Sequence, residues 1–167
     1  MQIFLLRAMD SKPRAFIIGF CALIGGVPLV LAALSGAGAV IVFVLVLWLP
    51  LVFAVLKLLR ASPSVLVGEQ GIILDLPYFR RELSWSDIER GSARILSLKA
   101  NPSFRFTAMV GAVGAPGYLV GWYTTEGEGD VLAAVSSDEV VSWRTNRGYT
   151  VLVSAEDAEA LAHAIAG

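Results

Sequence analysis

The feature that most constrains this chain is a run of 42 consecutive residues, from Ala15 to Leu56, that contains no Asp, Glu, Lys or Arg. A membrane-spanning helix needs about 20 consecutive apolar residues. The run is therefore long enough for two crossings, and the Ser-Gly-Ala-Gly sequence that begins at Ser35 lies near its middle. The pattern predicts a transmembrane helical hairpin with helices at about residues 15–34 and 39–57.

Basic residues flank this hairpin on both sides, whereas the turn between the helices carries no charge. They are Arg7, Lys12, Arg14, Lys57 and Arg60. Lys and Arg close to membrane ends are retained on the cytoplasmic side. We therefore expect a protein integral to the inner membrane of a cell, with both termini in the cytoplasm and with the lipid bilayer as its first partner.

An alternative interpretation treats the first helix as a secretory signal. The small residues from Ala37 to Ala39 fit a cleavage pattern, although the apolar run before them is longer than a usual signal core. If cleavage occurred, the second helix would still carry the following chain from outside to inside. Both interpretations place the main domain in the cytoplasm.

The composition changes after residue 60, so the sequence divides into an N-terminal part with the hairpin at 1–60 and a cytoplasmic domain at 61–167. The second part contains eight basic and thirteen acidic residues. An acidic domain is repelled by nucleic acid and by an anionic membrane surface. We therefore expect no nucleic-acid partner.

Short apolar or alternating runs separated by turn residues fill most of this second part. Such spacing predicts β-strands in a small barrel or sandwich. The expected strands are two apolar runs within 64–76, one on each side of the loop at 68–71, and further strands at about 78–85, 92–99, 117–125, 130–136, 139–145 and 149–154.

The last residues of the sequence have the apolar spacing of an α-helix. Ala158, Leu161 and Ile165 fall at helical spacing on one face. Ser154, followed three residues later by Asp157, predicts the helix cap. We expect this helix to bury its apolar face against the strands.

Four local sequences, taken with this order of elements, resemble the pleckstrin-homology-like (PH-like) domains of membrane-anchored bacterial proteins. They are Gly71-Ile-Ile-Leu74, Leu83-Ser-Trp-Ser-Asp-Ile88, Pro116-Gly-Tyr-Leu-Val-Gly121 and Ser154-Ala-Glu-Asp157. The resemblance implies a mainly-β PH-like barrel of about seven short antiparallel strands capped by a C-terminal α-helix. Members that bind phosphoinositides carry clustered basic residues at the first hairpin. Here that loop contains Glu69, so phosphoinositide binding is not carried over.

Histidine and cysteine, which often act in catalysis or bind metals, occur once each. The single cysteine, Cys21, lies in the first apolar helix, and the single histidine, His163, lies on the terminal helix away from its apolar positions. The glycine-rich segment Gly111–Gly117 has no following Lys-Ser/Thr and opens no helix, so it fails as a phosphate loop and is expected to be a flexible loop. We predict no enzyme activity, no catalytic residue, no cofactor and no metal.

Aromatic and basic residues around this segment are the best candidates for recognition. Arg105 precedes it, and Tyr118, Trp122 and Tyr123 follow it. Interfaces are enriched in these residue types. We predict that they line an interaction groove at one edge of the domain.

The sequence thus predicts a membrane-anchored, non-enzymatic interaction or assembly module that binds a protein partner or a second copy of itself. An alternative is a small subunit of a transport or export assembly that acts through oligomerised hairpins. Intramembrane ionisable residues usually mark ion or substrate paths. Their absence between Ala15 and Leu56 disfavours transport by a monomer.

Overall fold

The computed structural model describes every residue except Ala37 and Ala61 and divides the chain into two compact units. One unit combines Met1–Asp10 with Ser62–Gly167, and the other is Ser11–Ala61. The first ten residues therefore belong with the β-rich unit, whereas the sequence suggested one N-terminal part extending to residue 60. The hairpin is an insertion within the β-rich unit.

The inserted unit consists of two long apolar helical segments. The first comprises α1 (Ser11–Cys21), a π-helical segment (Ala22–Gly26) and α2 (Val27–Leu34), and the second is α3 (Gly38–Arg60). Both are long and apolar enough to cross a membrane, with mean hydropathies of 2.5 and 3.1. Their side chains are mostly exposed, unlike those of a core helix in a soluble protein. The expectation of two apolar helices is confirmed.

The π-helical segment provides one of the contacts between the two helical segments. Pro28 has no N–H, so the carbonyl four residues earlier loses its usual helical partner. Within the segment, a side chain on Gly25 would overlap the indole of Trp48. The Trp48 Nε1 donates a hydrogen bond of 3.1 Å to the carbonyl of Cys21. The irregular turn thus admits a tryptophan from the facing helix.

The β-rich unit begins with a four-stranded antiparallel sheet in the order β1-β2-β3-β4. Its strands are β1 (Gln2–Leu5), β2 (Ser64–Gly68), β3 (Gly71–Leu76) and β4 (Phe79–Ser84). Alternate residues of β2 and β3 are buried, which gives the sheet one inward face. The tight β2–β3 turn requires Gly71, whose φ is +150° and whose missing side chain would overlap the backbone of β4.

A second sheet has six strands in the order β5-β9-β10-β8-β7-β6. They are β5 (Ile88–Ser97), β6 (Phe106–Ala115), β7 (Tyr118–Thr125), β8 (Gly129–Val135), β9 (Glu139–Thr145) and β10 (Thr150–Val153). The last strand, β10, lies between β8 and β9 and runs parallel to β8. One face of this sheet carries a buried cluster that includes Val131, Val140 and Leu152. Phe104, on the connection from β5 to β6, packs into that cluster.

The predicted barrel of about seven antiparallel strands is not confirmed. The described residues form ten strands in two sheets without a closed barrel, and one strand pair is parallel. Two strands were not expected, because β1 precedes the hairpin and most of β6 lies in a segment rich in glycine and alanine. The expected flexible loop at Gly111–Gly117 is instead strand β6 as far as Ala115.

The terminal helix α4 (Ala158–Ala166) forms as predicted and packs against β5 and β9. Leu161 and Ile165 are fully buried. The predicted cap is wrong, because Asp157, not Ser154, accepts the hydrogen bond from the Ala160 N–H. The Ser154 hydroxyl instead accepts from the backbone N–H groups of Ser136 and Ser137.

Candidate functional site

The edge strand β6 is the most distinctive surface of the β-rich unit. It pairs with β7 on one side and has no strand of the described chain on the other. Its ten residues contain no charge, and the side chains of Met109 and Val110 are 56% and 69% exposed. An unpaired edge of this kind offers backbone N–H and C=O groups to another strand.

Two of the other edge strands of this unit, β5 and β4, are better protected. Edge strand β5 carries Glu89, Arg90 and Arg94, and helix α4 packs against it. Edge strand β4 carries Arg80, Arg81 and Glu82. Charged side chains on an edge strand oppose pairing with another chain. The contrast singles out β6 among the longer edges.

Two irregularities shape the first half of β6. Its register with β7 shifts between Phe106 and Ala108 and again between Met109 and Gly111. From Gly111 to Ala115 the pairing is regular. Bulges disturb the ladder locally. The second irregularity therefore lies beside the exposed side chains of Met109 and Val110.

Arg105, one of the predicted interaction residues, lies directly before β6. Its side chain is exposed, and its Nε is 3.7 Å from the Oε1 of Glu126. Exposed ion pairs of this kind contribute about 0–1 kcal/mol. Arg105 can therefore exchange this partner for another at small cost.

Tyr123 is buried and fastens β6 to β7. Its hydroxyl donates a hydrogen bond of 2.9 Å to the carbonyl of Val113, and its ring packs edge-on against Phe106 at 5.1 Å. Burial raises the pKa of Tyr123 to about 12. The phenol is therefore neutral and donates its hydrogen bond to the backbone of β6. Tyr118 is likewise buried.

Trp122 lies on the opposite face of β7 from Tyr123, because side chains alternate along a strand. It is half-buried, and its ring meets that of Tyr149 edge-on at 4.8 Å. The structure therefore does not gather the four predicted residues into one groove. Arg105 lies exposed directly before β6. Tyr123 is buried on one face of β7, and Trp122 lies on the opposite face.

A cleft of about 670 Å³ lies beside the β2–β3 turn and was not expected from the sequence. It is bordered by Glu69, Glu82, Asp87 and Arg147. Arg147 donates a hydrogen bond of 2.9 Å to Asp87, and this bond, together with one from Ser84, holds the pKa of Asp87 below its ordinary value. The charged groups thus neutralise one another in part, and Asp87 and Arg147 serve to join the turn before β5 to the turn after β9.

Groups that could carry reaction chemistry are sparse in the described chain. Cys21 is buried in α1, and His163 is exposed on α4. The described residues contain no group of three or more His, Cys, Asp or Glu placed to hold a metal ion.

Comparison of the chain with family models, with curated proteins and with solved structures finds no match.

Proposed function

We propose that this protein is a membrane-anchored, non-enzymatic interaction module. In this proposal the hairpin spans the inner membrane of a bacterial cell, and the β-rich unit lies at the cytoplasmic face, where it binds a protein partner or a second copy of itself. The observation that carries the proposal is the insertion of the apolar hairpin between two hydrogen-bonded strands, β1 and β2.

This pairing supports a hairpin that enters and leaves the bilayer on one side. Phe4, before the first helix, lies opposite Val65, after the second. Two strands in one sheet must be in the same compartment, and an even number of crossings satisfies that requirement. Removal of the first helix as a signal would also remove β1 and the buried residues Leu6 and Met9. The sheet thus favours retention of both helices.

The side of the membrane follows from charge. Arg7, Lys12 and Arg14 flank the first helix, Lys57 and Arg60 end the second, and the described part of the turn is uncharged. Basic residues near the membrane ends are retained in the cytoplasm. Both termini are therefore assigned to the cytoplasm in this proposal.

From the resemblance to PH-like domains we use only the coarse architecture, a β-rich domain with a C-terminal helix. Its basic lipid-binding loop is replaced by a turn that contains Glu69, and the β8–β10 pair is parallel. We accordingly assign the binding role to the β6 edge, for which an extended strand of a protein partner is the natural ligand.

Cysteine accessibility tests the anchoring. In a Cys21→Ser background, a cysteine at Gly36 should react with a membrane-impermeant maleimide added outside spheroplasts. A cysteine at Ser64 should react only after the membrane is opened. Reaction of both positions from the same side would contradict the hairpin.

Site-specific photo-crosslinking tests the binding edge. A photoreactive residue at Val110 should yield a discrete crosslinked product in membranes, whereas one at Glu82, on the charged edge of the other sheet, should not. Val110→Lys, combined with a photoreactive residue at Met109, should abolish the product because a charge opposes strand addition, and Val110→Thr should retain it. A crosslinked product unchanged by Val110→Lys would contradict the assignment of partner binding to the β6 edge.

The alternative role as a transport subunit requires hairpins that associate with one another. Small residues let helices approach closely. In this chain Gly25 already serves the contact with Trp48 inside one hairpin. No Asp, Glu, Lys, Arg or His lies between Ala15 and Leu56 to mark a path. The module interpretation is therefore the better supported of the two.

A further inference from the structure

The outer face of the four-stranded sheet carries an apolar patch. The strand register places Ile3, Leu66 and Ile73 side by side across β1, β2 and β3. Side chains in one such row project from the same face. Leu5 projects from this face too, two residues along β1 from Ile3. We call Ile3, Leu5, Leu66 and Ile73 the outer apolar patch.

The patch is not covered by the described residues of its own unit. Ile3 and Leu5 are 65% and 51% exposed, and Leu66 and Ile73 are half-buried. The other face of the same strands is buried, with Val65 and Leu74 fully inside. Over β1 and β2 the outer face thus carries the apolar side chains of Ile3, Leu5 and Leu66, with Ser64 as its polar member opposite Leu5, which is unusual for a face in water.

Polarity changes across this outer face from β1 to β4. The row that begins with Ile3 ends with Glu82 on β4, and Arg80 lies on the same face. These two side chains form an exposed ion pair of 3.4 Å. Ser64 and Asp75 lie on this face between Leu5 and Arg80. The face is therefore mainly apolar on β1 and β2, mixed on β3 and charged on β4.

Few residues separate the strands of the patch from the helices along the chain. Leu5 lies six positions before Ser11, where α1 begins, and Ser64 lies four positions after Arg60, where α3 ends. An extended chain spans at most about 3.3–3.6 Å per residue. The two strands that carry most of the patch therefore start within about 20 Å of chain from the two helix ends.

We propose that the outer apolar patch inserts into the interfacial region of the same bilayer that the hairpin spans. This inference rests on the proposed function, since it requires an anchored hairpin. Apolar side chains gain from leaving water, and the adjacent basic residues Arg7, Lys12 and Arg14 attract anionic headgroups.

Single-cysteine labelling of the full chain tests this inference. The protein carries Cys21→Ser and one environment-sensitive fluorophore, and it is reconstituted into vesicles of phosphatidylcholine and phosphatidylglycerol. The label is placed at Ile3 or Leu5 in the patch, at Glu82 as a control on the same face, or at Val46 as a control within α3. Lipids with a nitroxide just below the headgroup quench labels at that depth.

The expected result is blue-shifted emission at Ile3 and Leu5 that shallow nitroxide lipids quench, with water-like, unquenched emission at Glu82. Water-like emission at both Ile3 and Leu5, with Val46 quenched by deep nitroxide lipids, overturns the inference and leaves the anchoring intact. Blue-shifted but unquenched emission in the patch overturns it too, because protein then covers the face. Absence of deep quenching at Val46 overturns the anchoring itself.

Discussion

Gln2 lies directly opposite Val67 in the antiparallel pair of β1 and β2, although the whole apolar hairpin separates them in sequence. The β-rich unit is therefore discontinuous, and both ends of the hairpin are covalently attached to neighbouring strands of one sheet. Removal of the chain up to the end of the first helix would therefore also remove β1 from the sheet.

The contact between Gly25 and Trp48 should determine the stability of the hairpin. Gly25→Ala places a methyl group inside the indole ring, so it should destabilise the hairpin by about 1–3 kcal/mol. Gly26→Ala is the matched control, because nothing lies near its added methyl group. Denaturation by sodium dodecyl sulfate in mixed micelles, followed by Trp fluorescence, measures both. Equal effects of the two substitutions would contradict the packing.

Ser154 should contribute to the stability of the β-rich unit through its hydroxyl, although it does not cap the following helix. It is fully buried, and its hydroxyl accepts hydrogen bonds from the N–H groups of Ser136 and Ser137. Ser154→Ala leaves these donors without that acceptor, so it should lower the free energy of unfolding by about 1–3 kcal/mol. Thermal unfolding of the full chain in detergent measures the loss. Ser154→Thr, which keeps the hydroxyl, should recover part of it.

The pair of Asp87 and Arg147 should give a small, pH-dependent stabilisation. Hydrogen bonds from Arg147 and Ser84 lower the pKa of Asp87 from its ordinary value of 3.8. A carboxylate with a lowered pKa contributes stability that is fully present above its unfolded pKa. That contribution is lost as the pH falls through the folded pKa.

Asp87→Asn should therefore lower the melting temperature at neutral pH, and the difference from the wild type should close below about pH 3.8. Arg147→Met should give a comparable loss, and the double variant should show little further loss. A wild-type advantage that persists unchanged below the folded pKa would contradict this explanation.

Leu161 and His163 provide a matched pair on helix α4. Leu161 is fully buried, so Leu161→Ala should cost about 2–5 kcal/mol. His163 is exposed, so His163→Ala should leave the melting temperature nearly unchanged. Differential scanning fluorimetry of both variants gives the comparison. Small, equal shifts would mean that α4 does not close the core.

The parts of the fold that follow from local periodicity were predictable. The charge-free run defines both apolar helices, strand β9 has the expected bounds of Glu139–Thr145, and α4 follows from its apolar spacing. The four-residue strand β1 gives almost no local signal, and its partner lies beyond the hairpin. Strand β6 was missed because glycine and alanine lower β propensity.

The order in which the strands pair within a sheet also cannot be predicted from the periodicity of apolar residues. The sequence gives no sign that β10 enters between β8 and β9. The same limit affects the candidate site, because burial of Tyr118 and Tyr123 depends on how sheets pack. Proximity in sequence identified the region around β6 and β7 but not which side chains face outward.

The most direct test of the account is a disulfide between β1 and β2 across the intact hairpin. Opposite residues of an antiparallel pair have Cα atoms about 4.5–5.5 Å apart, within disulfide range. In full-length protein with Cys21→Ser, cysteines at Ile3 and Leu66 should join within one chain under mild oxidation. Cysteines at Ile3 and Glu82, on the same face but three strands apart, should not.

Fragments from cleavage in the hairpin turn should therefore stay linked until reductant is added, and only for the Ile3 and Leu66 pair. Failure of this pair to link more than the Ile3 and Glu82 control would contradict the discontinuous domain and the anchoring argument built on it.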